Sequence, residues 1–191
     1  MEYFIIGFCS YLMGSIPFGF LLSKLILKKD IRNIGSGNIG ATNVLRTGNK
    51  FIAYSTLILD IGKAVIPVIF IKINYPDYVF VVSLCVFLGH VFPLWLKFKG
   101  GKGVATYLGI LFSLNIIYGL IFVIIWFVTF IISKYSSLSS LIASLSIPIY
   151  LISFKNDNYI FFLIMFILIF YTHRENIKRL KNKEETKTKI Y

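Results

Sequence analysis

The chain has little of what metal-binding, redox and disulfide-rich proteins are built from. Two cysteines, Cys9 and Cys85, occur in 191 residues, each inside an apolar run with no His, Asp or Glu close by. That placement excludes a disulfide framework and a zinc cluster, and both read as small apolar packing residues. Acid is scarce, with eight Asp and Glu against twenty Lys and Arg. Asp30, Asp60, Asp77 and Asp157 stand isolated, so no carboxylate cluster is offered to Mg²⁺, and neither metal nor cofactor is expected. A basic n-region is missing too. The chain opens Met1-Glu2-Tyr3 and runs through Gly14, Ser15 and Pro17 with no small-x-small cleavage site, which reads as a retained first span. No Pro- or Gly-rich linker divides it. We expect one membrane-embedded domain, 1–180, and a basic, partly disordered cytoplasmic tail, 181–191.

What is present is apolar residue and positive charge. The chain is 57% hydrophobic with a net charge of +12 and a mean hydropathy of +0.80. Apolar runs fall at 3–23, 51–71, 78–96, 104–132, 138–153 and 159–172, several near the roughly 20 residues a membrane span needs. Nucleic acid is not the expected partner, because the cations sit between these runs and in the tail, where the positive-inside rule and anionic lipid account for them. Reading 104–132 as one span translocates a tail of seven cations. Reading it as two spans that turn near Asn115, Tyr118 and Gly119 leaves seventeen cations inside and two, Lys72 and Lys155, outside. The charge pattern therefore predicts an all-α, polytopic helix bundle of seven transmembrane helices, N-terminus outside and C-terminus cytoplasmic, at the price of two short halves of about 14 residues, with a five-span version carrying re-entrant segments as the alternative. Asp60 and Lys63, three apart in mid-span, share a helix face and can pair, as a lock on the bundle or as part of a polar site.

The chemistry-bearing stretches are the predicted cytoplasmic loops. Asn33 to Arg46 contains Gly35, Gly37 and Gly40, but a membrane span precedes them, which is not the setting of a dinucleotide fold. The glycines still let backbone amides approach an anion, with Ser36, Thr42, Asn43 and Arg46 adding polar groups. Lys97-Phe-Lys-Gly-Gly-Lys-Gly103 lacks the spacing of a P-loop, yet its three lysines and Gly100, Gly101 and Gly103 before a helix suit a phosphate. Tyr135 to Ser140 brings four serine hydroxyls to a turn, for a phosphate or for a helix cap. His173 and Asn176 leave the last span on one helical face. His90 is the second histidine, in Gly89-His90-Val-Phe-Pro93. Together these segments suggest a phosphate-bearing substrate meeting a membrane-borne partner on one face.

In order and spacing, Gly14–Gly19, Gly35–Asn43, Gly89-His90 through Ala105, Tyr135–Leu138 and His173–Leu180 resemble the bacterial acyl-phosphate:glycerol-3-phosphate acyltransferase family, PlsY. Asp60 and Lys63 also fit its second span. The resemblance implies a seven-helix, multi-pass protein of the bacterial inner (cytoplasmic) membrane. It implies acyl-phosphate as donor, glycerol 3-phosphate as acceptor, lysophosphatidic acid and phosphate as products, and functional association with the soluble acyltransferase that makes acyl-phosphate. It implies that Ser36, Arg46, Lys102, Ser137, His173 and Asn176 line the site. Catalysis would fall to Ser36, Arg46, His173 and Asn176. Phosphate would be held by Gly37, Asn43, Lys97, Gly100, Gly101, Lys102, Gly103 and Ser137, with intramembrane support from Asp60, Lys63 and His90. Two departures stand out: Ile39 where the family usually has proline, and Lys183 where it usually has glycine; Glu185 matches. The competing reading is a small transporter for a phosphorylated solute, supported by the mid-membrane Asp60 and Lys63. A transporter's site is expected near the midplane, whereas the glycine and serine clusters gather on one face.

Overall fold

The computed structural model describes residues 2–188, with side chains from Phe4 onward. Met1 and residues 189–191, including Lys189 of the basic tail, lie outside the described residues. Among the described residues every regular element is helical. They fall into two compact units, one ending at Leu114 and the other beginning at Asn115.

The first unit holds α1 (Glu2–Ser15), α2 (Phe18–Ile26), α3 (Ala41–Leu45), α4 (Lys50–Asn74), α5 (Val79–Val91) and α6 (Val104–Leu114). The expected first span is present as Phe4–Ile26, its helix interrupted between α1 and α2, because Pro17 has no N–H to continue the ladder and its ring disfavours helix in the residue before it. α1 packs against α5 and α4 against α6. Two glycines let α1 and α5 touch: a methyl on Gly14 would overlap the Val86 carbonyl, and one on Gly89 the Tyr11 carbonyl. Tyr11 Oη fixes the same pair by donating to the Phe92 carbonyl at 2.6 Å.

The second unit holds α7 (Ile116–Ser133), α8 (Ser136–Ser153), α9 (Tyr159–Thr172) and α10 (Arg174–Lys181), with α8 packed between α7 and α9. The long 104–132 run breaks at Asn115, whose extended backbone (φ −157°) ends α6 and whose side chain caps α7 by accepting from Ile117 N at 2.9 Å. The division is uneven, 11 and 18 residues rather than equal halves. Nor does the last span run on as a single helix, since α9 and α10 meet at 62°.

Among the described residues four stretches are long and apolar enough to cross a membrane, Phe4–Ile26, Pro76–Leu96, Ile116–Ser133 and Ser136–Ser153, and α9 with α10 makes a fifth if counted as one bent span. α4 has 25 residues, roughly 37 Å at 1.5 Å per residue. The helices are arranged for lipid. Phe51, Ile58, Ile66 and Ile73 of α4 and Ile116, Ile124, Phe127 and Ile132 of α7 point outward, whereas Thr56, Asp60, Lys63, Ser83, His90 and Ser113 are buried. Some buried hydroxyls return to their own helix, as Thr56 Oγ1 does to the Ile52 carbonyl at 2.8 Å and Ser113 Oγ to Gly109 at 2.8 Å. That satisfies the polar group where no water is available.

Candidate active site

The Ser36–Arg46 loop leaves α2 through a short 3₁₀ turn, Ile31–Asn33, capped by Asp30. Gly35 and Gly37 turn the chain with φ of +56° and +70°, left-handed values that side chains avoid. The buried Asn43 holds this turn closed. Its Nδ2 faces the carbonyls of Ile34 at 2.9 Å, Asn38 at 2.8 Å and Ile31 at 3.1 Å, and its Oδ1 accepts from Ser36 N at 3.0 Å and from Arg46 Nη1 at 3.5 Å. Asn43 was expected to grip phosphate; its side chain is instead committed to the loop. Its effect is to bring Ser36 and Arg46, both exposed, to one place. α3 is only five residues long, so its terminal dipole is small.

Beneath the loop Ile31, Ile39 and Val44 are buried with Ile52 and Ala53 of α4 and with Leu96, which immediately precedes Lys97. The Ser36–Arg46 loop and the lysine–glycine loop therefore share one hydrophobic nucleus. Ile39, at the family's usual proline position, is 3% exposed in that nucleus. A methyl on Gly19 would overlap its carbonyl, so α2 lies directly on the loop.

In the Lys97–Gly103 loop the amides of Gly100 and Gly101 donate to the Val91 carbonyl at 3.1 Å and the His90 carbonyl at 3.0 Å. This corrects the expectation that both amides face a phosphate. What projects from the loop is lysine: Lys97 and Lys99 are exposed and Lys102 is half-buried. Below lie His90, Asp60 and Lys63, with Lys63 Nζ 2.8 Å from Asp60 Oδ1 and His90 Nδ1 3.6 Å from the same oxygen.

The second unit carries the remaining candidates. His173 sits at the α9–α10 bend, 2% exposed. Its Nδ1 lies 2.8 Å from the Ile169 carbonyl, and a carbonyl only accepts, so Nδ1 carries the proton. Asn176, in α10 and 4% exposed, donates from Nδ2 to Glu185 Oε1 at 2.6 Å. Ser137 Oγ donates to the same oxygen at 2.7 Å, and Arg179 Nε to Oε2 at 2.7 Å. The serines of α8 do not cap it. Tyr135 is the cap residue and makes no side-chain bond, while Ser139 and Ser140 bond back to the carbonyls of Tyr135 and Ser136.

Glu185 is the residue that sequence reasoning left out of the site. Burial raises its pKa, but the bonds from Asn176, Ser137 and Arg179 outweigh burial and hold it below the ordinary glutamate value. The sequence sets Glu184 and Glu185 side by side in a tail of lysines, and the fold singles out Glu185. Further along the tail, Thr188 N donates to the Lys134 carbonyl at 3.0 Å. Lys183 explains its own departure from the family pattern: its φ of +60° is left-handed, a conformation that glycine adopts without strain.

Residues 4–183 match the family described as glycerol-3-phosphate acyltransferase. The chain is 74% identical over 191 residues to the glycerol-3-phosphate acyltransferase of Pelagibacter ubique (strain HTCC1062), covering all of both chains. It is 49% identical over 179 residues to that of Bradyrhizobium diazoefficiens, covering 93% of this chain and 90% of the relative. In fold it is similar to crystal structures of PlsY, an integral membrane glycerol 3-phosphate acyltransferase. The glycerol 3-phosphate form gives a TM-score of 0.91 at 35% identity, covering 98% of this chain and 96% of that one. The lysophosphatidic acid form gives 0.88 at 34%, covering 98% and 95%.

Proposed function

This chain belongs to the glycerol-3-phosphate acyltransferase family, and from that premise we propose that it moves an acyl group from acyl-phosphate to the 1-hydroxyl of glycerol 3-phosphate. It is an integral, multi-pass, all-helical membrane enzyme whose product is lysophosphatidic acid. The finer reading has it in the bacterial inner membrane with seven crossings, N-terminus outside, and the basic tail in the cytoplasm beside the soluble enzyme that makes acyl-phosphate. The family match over 4–183 supports treating 1–180 as one acyltransferase domain.

The observation that carries the chemistry is the shared nucleus of the two loops in the first unit. Leu96 buries with Ile31, Ile39 and Val44, so the Ser36–Arg46 pair and the three lysines rise from one core. Two anions repel, and bringing them together is most of the catalytic problem. Arg46 can bind a phosphate with two parallel hydrogen bonds, and Lys97, Lys99 and Lys102 supply point charges. Ser36 offers a hydroxyl beside Arg46, and Gly37 lets the chain turn there.

The glycerol hydroxyl oxygen attacks the acyl carbonyl carbon. A new C–O ester bond forms, the anhydride C–O bond breaks, and phosphate leaves with the electron pair. No acyl-enzyme is required, because phosphate is already a good leaving group and neither cysteine is placed to be a nucleophile. The hydroxyl proton goes to His173 Nε2 or to the departing phosphate. A His173→Gln variant with a modest loss of rate and an unchanged pH profile assigns it to phosphate; loss of the acid limb, where a protonated base is inactive, assigns it to His173.

Purified protein given acyl-phosphate and radiolabelled glycerol 3-phosphate should form labelled lipid. Label that accumulates unchanged inside vesicles, with no lipid formed, supports the transporter reading instead.

A further inference from the structure

We propose that the buried Asp60–Lys63–His90 cluster braces the Lys97–Gly103 loop from below, and that His90 is a positioning residue for the phosphate held there. This rests on reading that loop as a phosphate cradle.

A simple lock between helices would need only the Asp60–Lys63 pair, and both of those residues lie on α4. The cluster reaches further at each end. Lys63 Nζ donates to the Ile16 carbonyl at 2.8 Å, at the break before Pro17, and lies 5.8 Å from the Phe18 ring centre. At the other end stands His90 on α5, 4% exposed, its Nδ1 turned to Asp60. The far edge of that ring lies against Gly101. A methyl added there would overlap Nε2, with Cε1 2.7 Å and Cδ2 2.9 Å away. Phe87, one turn earlier on α5, meets Gly103 in the same way. The loop thus rests on two buried rings, and the Gly100 and Gly101 amides tie it to the backbone of residues 91 and 90.

Gly101 is glycine for want of space. Its φ is not among the positive values, which fall at Gly35, Gly37, Gly48 and Gly103. An alanine could adopt its backbone but would meet an enclosed ring whose Nδ1 faces Asp60 Oδ1 at 3.6 Å. The ring sets the height of the loop, Asp60 sets the ring, and Lys63 balances Asp60 and joins it to the α1–α2 break. None of the three needs to touch substrate.

The test measures the KM of each phosphate substrate separately in purified protein, together with the rate of tryptic cleavage at Lys97, Lys99 and Lys102. His90→Ala should raise the KM of one substrate at least tenfold, change the other less than twofold, and speed cleavage. Gly101→Ala should raise the same KM. The double variant His90→Ala/Gly101→Ala should recover most of what Gly101→Ala loses, because the methyl fills the space left by the ring. His90→Gln, which keeps a polar group of similar reach, serves if His90→Ala does not fold, and should show a smaller shift in the same KM. Equal shifts in both KM values, no shift, or a double variant no better than Gly101→Ala overturns the brace. Wild-type protein that makes no lipid overturns the functional reading instead, and the cleavage rates still judge the brace.

Discussion

The two loops of the first unit are held in opposite ways. The Ser36–Arg46 loop hangs on one side chain, Asn43, which faces three carbonyls and receives two donors. The Lys97–Gly103 loop is seated by backbone pairing at residues 90 and 91 and by glycines pressed onto Phe87 and His90. A loop of the first kind fails when a hydrogen-bonding hub is removed. One of the second kind fails when a methyl is added. In both, the residues that face out are the ones suited to an anion, Ser36 and Arg46 on one side and the lysines on the other.

The largest effect should come from Asn43→Asp. It replaces the donor facing three carbonyls with another acceptor and buries a charge, which costs about 3 kcal/mol or more. Lipid formation should fall more than a thousandfold, with a lower Tm in detergent. Arg46→Ala should separate grip from scaffold: Arg46 is exposed, so Tm should hold while kcat/KM falls about a hundredfold from lost charge-assisted bonds. If Arg46→Ala unfolds the protein, or Asn43→Asp is fully active, the division between scaffold and grip is wrong.

The second unit adds a tether of a third kind, made by charge. Glu185 is held below its ordinary value, so its contribution is full at neutral pH. That contribution is lost as pH falls below the ordinary glutamate value and through the depressed folded one. Glu185→Gln should lower stability at pH 7 by about 2 kcal/mol and flatten the acid side of a Tm-against-pH curve. A curve that keeps its acid slope contradicts this. The smallest effect should be a gain: Lys183→Gly relieves a left-handed lysine and should stabilise by about 1 kcal/mol, read as a raised Tm.

The helical segments were legible because lipid demands long apolar runs, and the turn at Asn115 because the seven-cation tail required it. The break at Pro17 was masked by apolar residues on both sides. The loops were legible as composition, since glycine beside lysine or serine and arginine suggests an anion. What each glycine does was not. Whether an amide faces phosphate or a carbonyl depends on what lies beneath, and nothing in Lys97–Gly103 announces that His90 and Val91 take the Gly100 and Gly101 amides. Asn43 reads as one more polar loop residue until the carbonyls of 31, 34 and 38 are seen around it. Ile39 and Lys183 looked like departures of unknown weight; one is buried in the nucleus and the other is strained.

The most direct test of the account is to follow radiolabelled glycerol 3-phosphate with acyl-phosphate through purified wild-type protein and through Arg46→Ala, Lys102→Met and the double variant. The account predicts labelled lysophosphatidic acid from the wild type, less from each single variant at unchanged Tm, and none from the double. Lipid formation that proceeds at the wild-type rate without both cations would contradict it.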